Sequence, residues 1–434
     1  MINIENTIEY NEFRQKILGG RVTSIWKSDS FFKGAKSYPI VNFNYLTSEF
    51  SDFEKNIFEK NQKMIYHLSG YGTTYNEAVA SFLGESVERY SFASFYSIIK
   101  NYVIKDSYKS LVNKYGEDKV CNLKYINSYF SDKDEKYYVN ENDELQWIAL
   151  NSLIELGEKV YIPLQFIVSN NGTIFENEKP FMTSAVSTGT ACHEDIIKSF
   201  ENAAIEYLQI DSFNLWWYGG IKGKDIKVNL EEFLHEYFKD KKEVKQFLEN
   251  FSVNFTDISY DKNIDIIVCE VFGQKEGLPK YTVGVQGGKG MKKVLYRGFM
   301  ECIAVLEYNM NLPWMDINKY ESITKKSTKI NNLDDNVIMY SKYGKPSIVK
   351  HDYDFYKGIN VSKNYNLIEC IKKYSKYAGF LRITLPEFEG LNLEVVRVSV
   401  PEILPLCLPS YPPYFHERYK KIGGIRNNVP HPLA

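Results

Sequence analysis

Ser81, Glu85, Glu88 and Arg89 stand at i, i+4, i+7 and i+8, a spacing that lines a hydroxyl, two carboxylates and a guanidinium along one stripe of an α-helix. Ser199, Glu206 and Gln209 follow, seven and then three residues apart, nearly in register at ~3.6 residues per turn, with Asp211 on the flank. Arg297 and Glu301 form an i, i+4 pair. Any one of these patterns alone is usually a solvated helix face with an ion pair. Together they point further, because carboxylates that converge repel one another unless metal or arginine joins them. Magnesium suits the role: it takes hard oxygen ligands and bridges carboxylates to phosphate oxygens, while arginine offers planar donors to the same phosphates.

The elements that must position these residues are legible as periodic segments. A helix is predicted over Thr74 to Ile99, opened by a Thr74/Glu77 capping box. A second is predicted from Glu194 to Asn214, with acids in its first turn, and a third from Met291 to Tyr308, closed off by Pro313. Each follows glycines: Gly70 and Gly72, then Gly189, then Gly287-Gly288-Lys289-Gly290. Helix N-termini placed after such loops would add backbone N–H donors for phosphate, although none of the loops fits a P-loop or dinucleotide fingerprint. Strand-like runs are Leu145 to Ser169, densest over Tyr161 to Val168 and followed by an Asn171-Gly172 turn, then Ile264 to Phe272, Tyr281 to Gln286, Phe380 to Leu385 and Leu393 to Val400. Gly19 and Gly20 read as a turn feeding a short strand over Arg21 to Trp26, and Leu230 to Phe251 as a surface helix. Residues 1–66 are expected to pack as an N-terminal segment on a main domain over 67–434. Within that domain 315–365 reads as a polar insertion and 401–434 as a proline-rich tail.

Composition excludes several classes. The chain of 434 residues is 44% hydrophobic and 25% charged, which suits a folded globular protein. Its net charge of −2 gives no electrostatic case for nucleic acid or an anionic membrane. No apolar run approaches the ~20 residues of a spanning helix, and the acidic, polar start does not read as a signal peptide, so a cytoplasmic location is expected. The six cysteines (Cys121, Cys192, Cys269, Cys302, Cys370, Cys407) are scattered, with no zinc-ligand spacing, and read as buried reduced thiols. Cys192 beside His193 is a poor nucleophile–base pair, since adjacent side chains diverge.

Taken in order, SGYGTTYNEAVASFLGESVERYSF at 69–92, QWIALNSL and VYIPLQFIV within 146–168, STGTACHEDIIKSFENAAIEYLQID at 187–211, RGFMECIAVLEY at 297–308, VVRVSVPEILPL at 395–406 and the ending NNVPHPLA resemble the YcaO family. The likeness is closest to its azole-forming members, the D subunits of streptolysin-type peptide maturation systems. It implies an α/β (α+β) fold with mixed sheets and helices converging on a central nucleotide site. It assigns ATP and Mg²⁺ to Ser81, Glu85, Glu88, Arg89, Ser199, Glu206 and Gln209, less tightly to Arg297 and Glu301, with Glu85, Glu88 and Glu206 on the metal. The family's proline-rich end lies at its active site, which carries catalytic roles to Pro430, Pro432 and Ala434. Here Ala434 replaces the last proline, and Tyr71 stands where a lysine is common between the two glycines. His431 is no more than a spacer in that motif, and a disordered tail over 427–434 is the plain alternative.

The activity implied is that of an ATP-dependent cyclodehydratase. A Cys, Ser or Thr side chain of a ribosomally made precursor peptide adds to the preceding carbonyl, ATP phosphorylates the resulting oxyanion, and loss of phosphate leaves a thiazoline or oxazoline, as in bacteriocin maturation. Fused forms of such enzymes carry roughly 300 further residues, so a separate E1-like, leader-binding partner is expected, along with a flavin-dependent dehydrogenase and homodimer formation as further associations. A thioamide or amidine synthetase using the same nucleotide site is one alternative. A non-catalytic scaffold subunit is the other.

Overall fold

The computed structural model describes residues 18–19, 32–33, 42–49, 65–130, 135–168, 174–180, 187–325, 330, 333–346, 353–356 and 365–434. The expected Arg21–Trp26 strand and the Asn171-Gly172 turn lie outside them. Strands β1 (Phe32–Lys33), β2 (Asn42–Glu49) and β3 (Ile65–Gly72) make a small antiparallel sheet. A second antiparallel sheet runs β4 (Ile104–Ser107), β5 (Glu144–Ser152), β13 (Gly379–Arg382), β14 (Glu394–Ser399), β7 (Thr190–His193), with β6 (Lys159–Pro163) also paired to β5. The third runs β11 (Thr282–Gly288), β10 (Asp265–Gly273), β9 (Phe251–Asp257), β8 (Gly223–Ile226), β12 (Tyr353–Tyr356), where the β8–β12 pair is parallel.

Three long helices pack among these sheets: α1 (Tyr75–Ser94), α2 (Ile196–Trp217) and α3 (Met291–Met315). The period-2 geometry of β10 explains their placement. Ile266 and Val268 join Ala204, Leu208 and Phe213 of α2 in one core, while Ile267, Cys269 and Val271 join Phe299, Cys302 and Ile303 of α3 in another. On β14, Val396 and Val398 face the α2 core, and Val395 joins Phe82 and Val87 of α1. Helix α2 is thus enclosed between two sheets, and its C-terminal half is buried almost throughout, the polar Asp211, Ser212 and Asn214 included.

Several expectations are corrected. Thr74 does cap α1, accepting from Glu77 N at 3.3 Å, but Glu77 turns back to Thr73 N at 2.8 Å rather than to Thr74. Helix α3 runs through Pro313 to Met315: the proline forfeits one backbone hydrogen bond, while buried Leu312 keeps the last turn docked. Leu230 to Phe251 is two helices, Leu230–Tyr237 and Lys241–Asn250, followed directly by β9. The 161–168 run stops being a strand at Pro163 and turns 3₁₀ over Leu164–Phe166. Segment 315–365 is not merely a polar insertion: α4 (Leu333–Tyr343) lies within it, and its Val337 and Ile338 pack with Ala304, Tyr308 and Leu312 of α3.

The tail is likewise ordered. Trp217 Nε1 donates to Val429 O at 2.9 Å, and Asn336 of α4 donates to the carbonyls of His431 (2.7 Å) and Leu433 (2.6 Å). His431 is fully buried between Phe213 and Tyr218. Its Nδ1 accepts from Leu433 N at 3.2 Å, so Nε2 carries the proton donated to Cys407 O at 2.8 Å. His431 is therefore a structural pin and not a spacer, and burial depresses its pKa to about 4. The cysteines are free, with all but Cys192 buried.

Candidate functional site

Strands β7 and β11 are the terminal strands of their sheets, and α2 bridges them. Glu206 Oε2 accepts from Gly189 N at 2.9 Å in the turn that enters β7. One helical turn later, Gln209 donates to Val285 O at 2.6 Å and accepts from Gly287 N at 2.8 Å, completing the open edge of β11. Gln209 is therefore committed at both ends of its amide. Ser199 is fully buried with its hydroxyl on the carbonyls of Glu394 (2.8 Å) and Asp195 (3.2 Å), which ties the start of α2 to β14. Of that stripe, Glu206 is the member left beside the other acids. Asp211 is sealed in a separate buried pair with Arg418.

Helix α1 brings Glu85, Glu88 and Arg89 to the same place. Glu85 accepts from Ser69 N at 3.1 Å, and the Arg89 guanidinium lies 3.6 Å from Glu85 and 3.8 Å from Glu88. Ser81 heads this stripe and is exposed. Glycines make the close approach possible: a Cβ on Gly70 would lie 2.1 Å from Ala78 O, and one on Gly72 would lie 2.4 Å from Glu77 Cβ. These glycines, with Gly287 and Gly288, sit inside strands β3 and β11 and serve packing, where the sequence suggested loops that cradle phosphate. From α3, Glu301 accepts from Gln286 Nε2 at 2.7 Å, and Arg297 lies exposed one turn before it.

Electrostatics joins the three helices into one site. Burial pushes Glu85, Glu88 and Glu206 above the ordinary carboxylate range. Glu88 is raised further by Glu206 and Glu85, and Glu206 by Glu85, while Arg89 and Arg397 pull both down. Glu301 is pushed up to about 7, chiefly by burial, and it too feels Glu206. The Tyr71 phenol is raised by burial and then by Glu301 and Glu85, so it stays protonated between those two acids.

A cluster of acids that prefer to be neutral is one that a cation would stabilise, and its donors are all hard oxygens. Among the described residues no group of three or more His, Cys, Asp or Glu forms a ready-made metal cage. Magnesium does not require one, because it is usually held by one or two carboxylates together with phosphate oxygens and water. The donor set fits a metal that arrives with a polyphosphate. No helix among the described residues is long and apolar enough to cross a membrane.

Sequence reasoning overlooked Arg397, 2% exposed on β14 and within the field of Glu88 and Glu206. The signal was present: a charged residue inside the apolar run Val395-Val396-Arg397-Val398. Gly189 was marked only as the glycine before α2, not as the donor to Glu206, and the Asn336 clamp had no comparable local mark.

A family model described as YcaO cyclodehydratase, ATP- and Mg²⁺-binding, matches residues 69–404. No curated protein matches the sequence. Among solved structures, a heterocyclase in complex with substrate and cofactor is similar over 92% of this chain at 16% identity and TM-score 0.61, and this chain spans only 52% of its length. The E. coli microcin synthetase McbBCD complex contains a similar chain (14% identity, 89% of this chain and 90% of that one, TM-score 0.57). YcaO from Methanopyrus kandleri, bound with AMPPCP and Mg²⁺, is similar at 11% identity over 92% of this chain and 91% of that one, with TM-score 0.55. At these identities the likeness speaks for the fold.

Proposed function

Because this chain belongs to the YcaO family, whose model spans residues 69–404, we propose that it is an ATP- and Mg²⁺-dependent cyclodehydratase that closes azoline rings in a ribosomal precursor peptide. The observation that supports this reading most is the meeting of Glu85, Glu88, Glu206 and Glu301 with Arg89 in one electrostatic cluster contributed by three helices. That one relative of the same fold is bound with AMPPCP and Mg²⁺ agrees with it.

Glu85, Glu88 and Glu206 would hold the metal. When bound, magnesium neutralises the phosphate oxygens and the developing charge. Arg89, beside Glu85, and the exposed Arg297 would donate to phosphate, and Ser81 stands at the exposed end of the α1 stripe. The Cys, Ser or Thr of the peptide adds through its sulfur or oxygen to the preceding carbonyl carbon, and its S–H or O–H proton passes to solvent. The carbonyl oxygen takes the terminal phosphoryl of ATP and departs as phosphate, and the amide proton is lost as the C=N bond forms. A C-terminal carboxylate at Ala434, exposed beyond the buried His431–Leu433 segment, is the group we assign to that proton. Pro430 and Pro432 then keep the tail's reach fixed. Lengthening the chain past Ala434 should lower turnover sharply with the fold intact, and unchanged turnover would remove the carboxylate from the mechanism.

The precursor would be presented by a separate E1-like subunit in the cytoplasm, and the McbBCD assembly is a precedent of matching fold. The decisive test is calorimetric titration with ATP-Mg²⁺ on the wild type, Glu85→Ala and Glu206→Ala, alongside mass spectrometry of the peptide product. Loss of binding in both variants and loss of one water per ring support the proposal. Indifference to both variants would indicate a scaffold, and an oxygen-to-sulfur exchange would indicate a thioamide synthetase.

A further inference from the structure

Arg397 is a charged residue in the interior of β14, 2% exposed, and its charge has to be accommodated by neighbours. Nη1 donates to Thr188 O at 2.5 Å and to Thr190 Oγ1 at 2.9 Å. Nη2 donates to Phe166 O at 3.1 Å, and the guanidinium lies 4.9 Å over the Phe92 ring of α1. Thr188 and Thr190 flank Gly189, the residue whose N–H donates to Glu206. The turn between them is tight: Gly189 has φ +86°, its carbonyl accepts from Val398 N, and Thr190 N closes on Ser187 O.

We propose that Arg397 is a positioning residue for the acid cluster, pinning both sides of the Gly189 turn so that this amide aims the Glu206 carboxylate at the metal-holding face. Its fixed cation also offsets the charge that gathers on Glu206 and Glu88 across the strand. Arginine suits both tasks, since its planar fork reaches two acceptors at once and it keeps its charge when buried. The inference rests on the reading that Glu206 helps hold the nucleotide's metal.

The two ideas can be separated by experiment. Arg397→Lys keeps a cation and loses the fork, whereas Thr190→Val removes one acceptor and leaves the guanidinium in place. Calorimetry at fixed ATP with rising Mg²⁺ should show the apparent metal affinity falling about tenfold in Arg397→Lys and by a smaller factor in Thr190→Val, the range expected for groups that orient a ligand. Hydrogen–deuterium exchange of the peptide containing Gly189 should quicken in both, and KM for ATP-Mg²⁺ should rise more than kcat falls. Wild-type metal affinity and wild-type Gly189 protection in both folded variants would overturn the proposal. If Arg397→Lys does not fold, Thr190→Val decides. Glu206→Gln is the control: if it leaves metal affinity unchanged, the metal-holding reading falls, and exchange at Gly189 still decides the positioning role.

Discussion

The backbone amide of Gly189 donates to the Glu206 carboxylate at 2.9 Å from a turn that only glycine can occupy without strain. A Cβ at this position would sit 2.5 Å from both the Tyr207 ring and Val398 O, in a left-handed backbone conformation. Gly189→Ala should therefore displace the amide from Glu206. We expect ATP-Mg²⁺ affinity to fall at least about tenfold and the melting temperature to drop by several degrees. Calorimetry and thermal unfolding measure the two, and a variant equal to wild type in both would show that the contact is dispensable.

Glu88 stands among like charges with Arg89 as its nearest offset, so neutralising it should have opposite effects on the empty and the loaded protein. Glu88→Gln is expected to leave the ligand-free protein as stable as wild type or more so, while weakening ATP-Mg²⁺ binding about tenfold or more. Arg89→Met should destabilise, and adding Glu88→Gln should recover part of that loss, because contacting residues are not additive. Additive losses in the double variant would mean that the two side chains are not coupled.

Glu307 on α3 is 2% exposed, its Oε1 has no partner among the described residues, and burial raises its pKa to about 8. An unfolded glutamate titrates near ~4.3, so between that pH and about 8 the folded chain holds a proton that the unfolded one releases, and stability falls as pH rises. His416 and His431, both lowered to about 4 by burial, act with the opposite sign, but only below the ~6.5 of an unfolded histidine. Above that pH the acids act alone. The melting temperature of the ligand-free protein should fall between about pH 6.5 and 8.5, and Glu307→Gln should flatten the slope. An unchanged slope in the variant would contradict this assignment.

Asn336 holds the tail by two hydrogen bonds, to His431 O and Leu433 O, and Tyr340 one turn later holds Pro430 O. Asn336→Leu leaves those two buried carbonyls unpaired, a loss of about 2 kcal/mol or more. Faster hydrogen exchange in the 428–434 peptide is expected, together with a lower kcat at nearly unchanged ATP affinity. Preserved protection of that peptide would show that Tyr340 and Trp217 suffice to fix the tail.

The local periodicities decided much of this protein. The stripe of Glu85, Glu88 and Arg89, the helix start at Thr74, and the strands around Ile266 and Val396 follow from spacing and capping that act over a few residues, so they could be read directly, whereas Asp195, expected within the first turn of α2, caps that helix from outside and accepts from Ile197 N. What lies far apart in the chain could not. Ser199 finds its acceptor 195 residues away at Glu394, and Asn336 finds Leu433 at a separation of 97. Gln209 spends its amide on an edge strand 76 residues on, and the α3 helix outlasts its proline because Leu312 has a core to enter. The sequence alone supplied the acids and the arginine. Tertiary packing decided which of them meet, because sheet edges, buried counter-charges and glycine turns are set by long-range pairing, and no short window of residues encodes that.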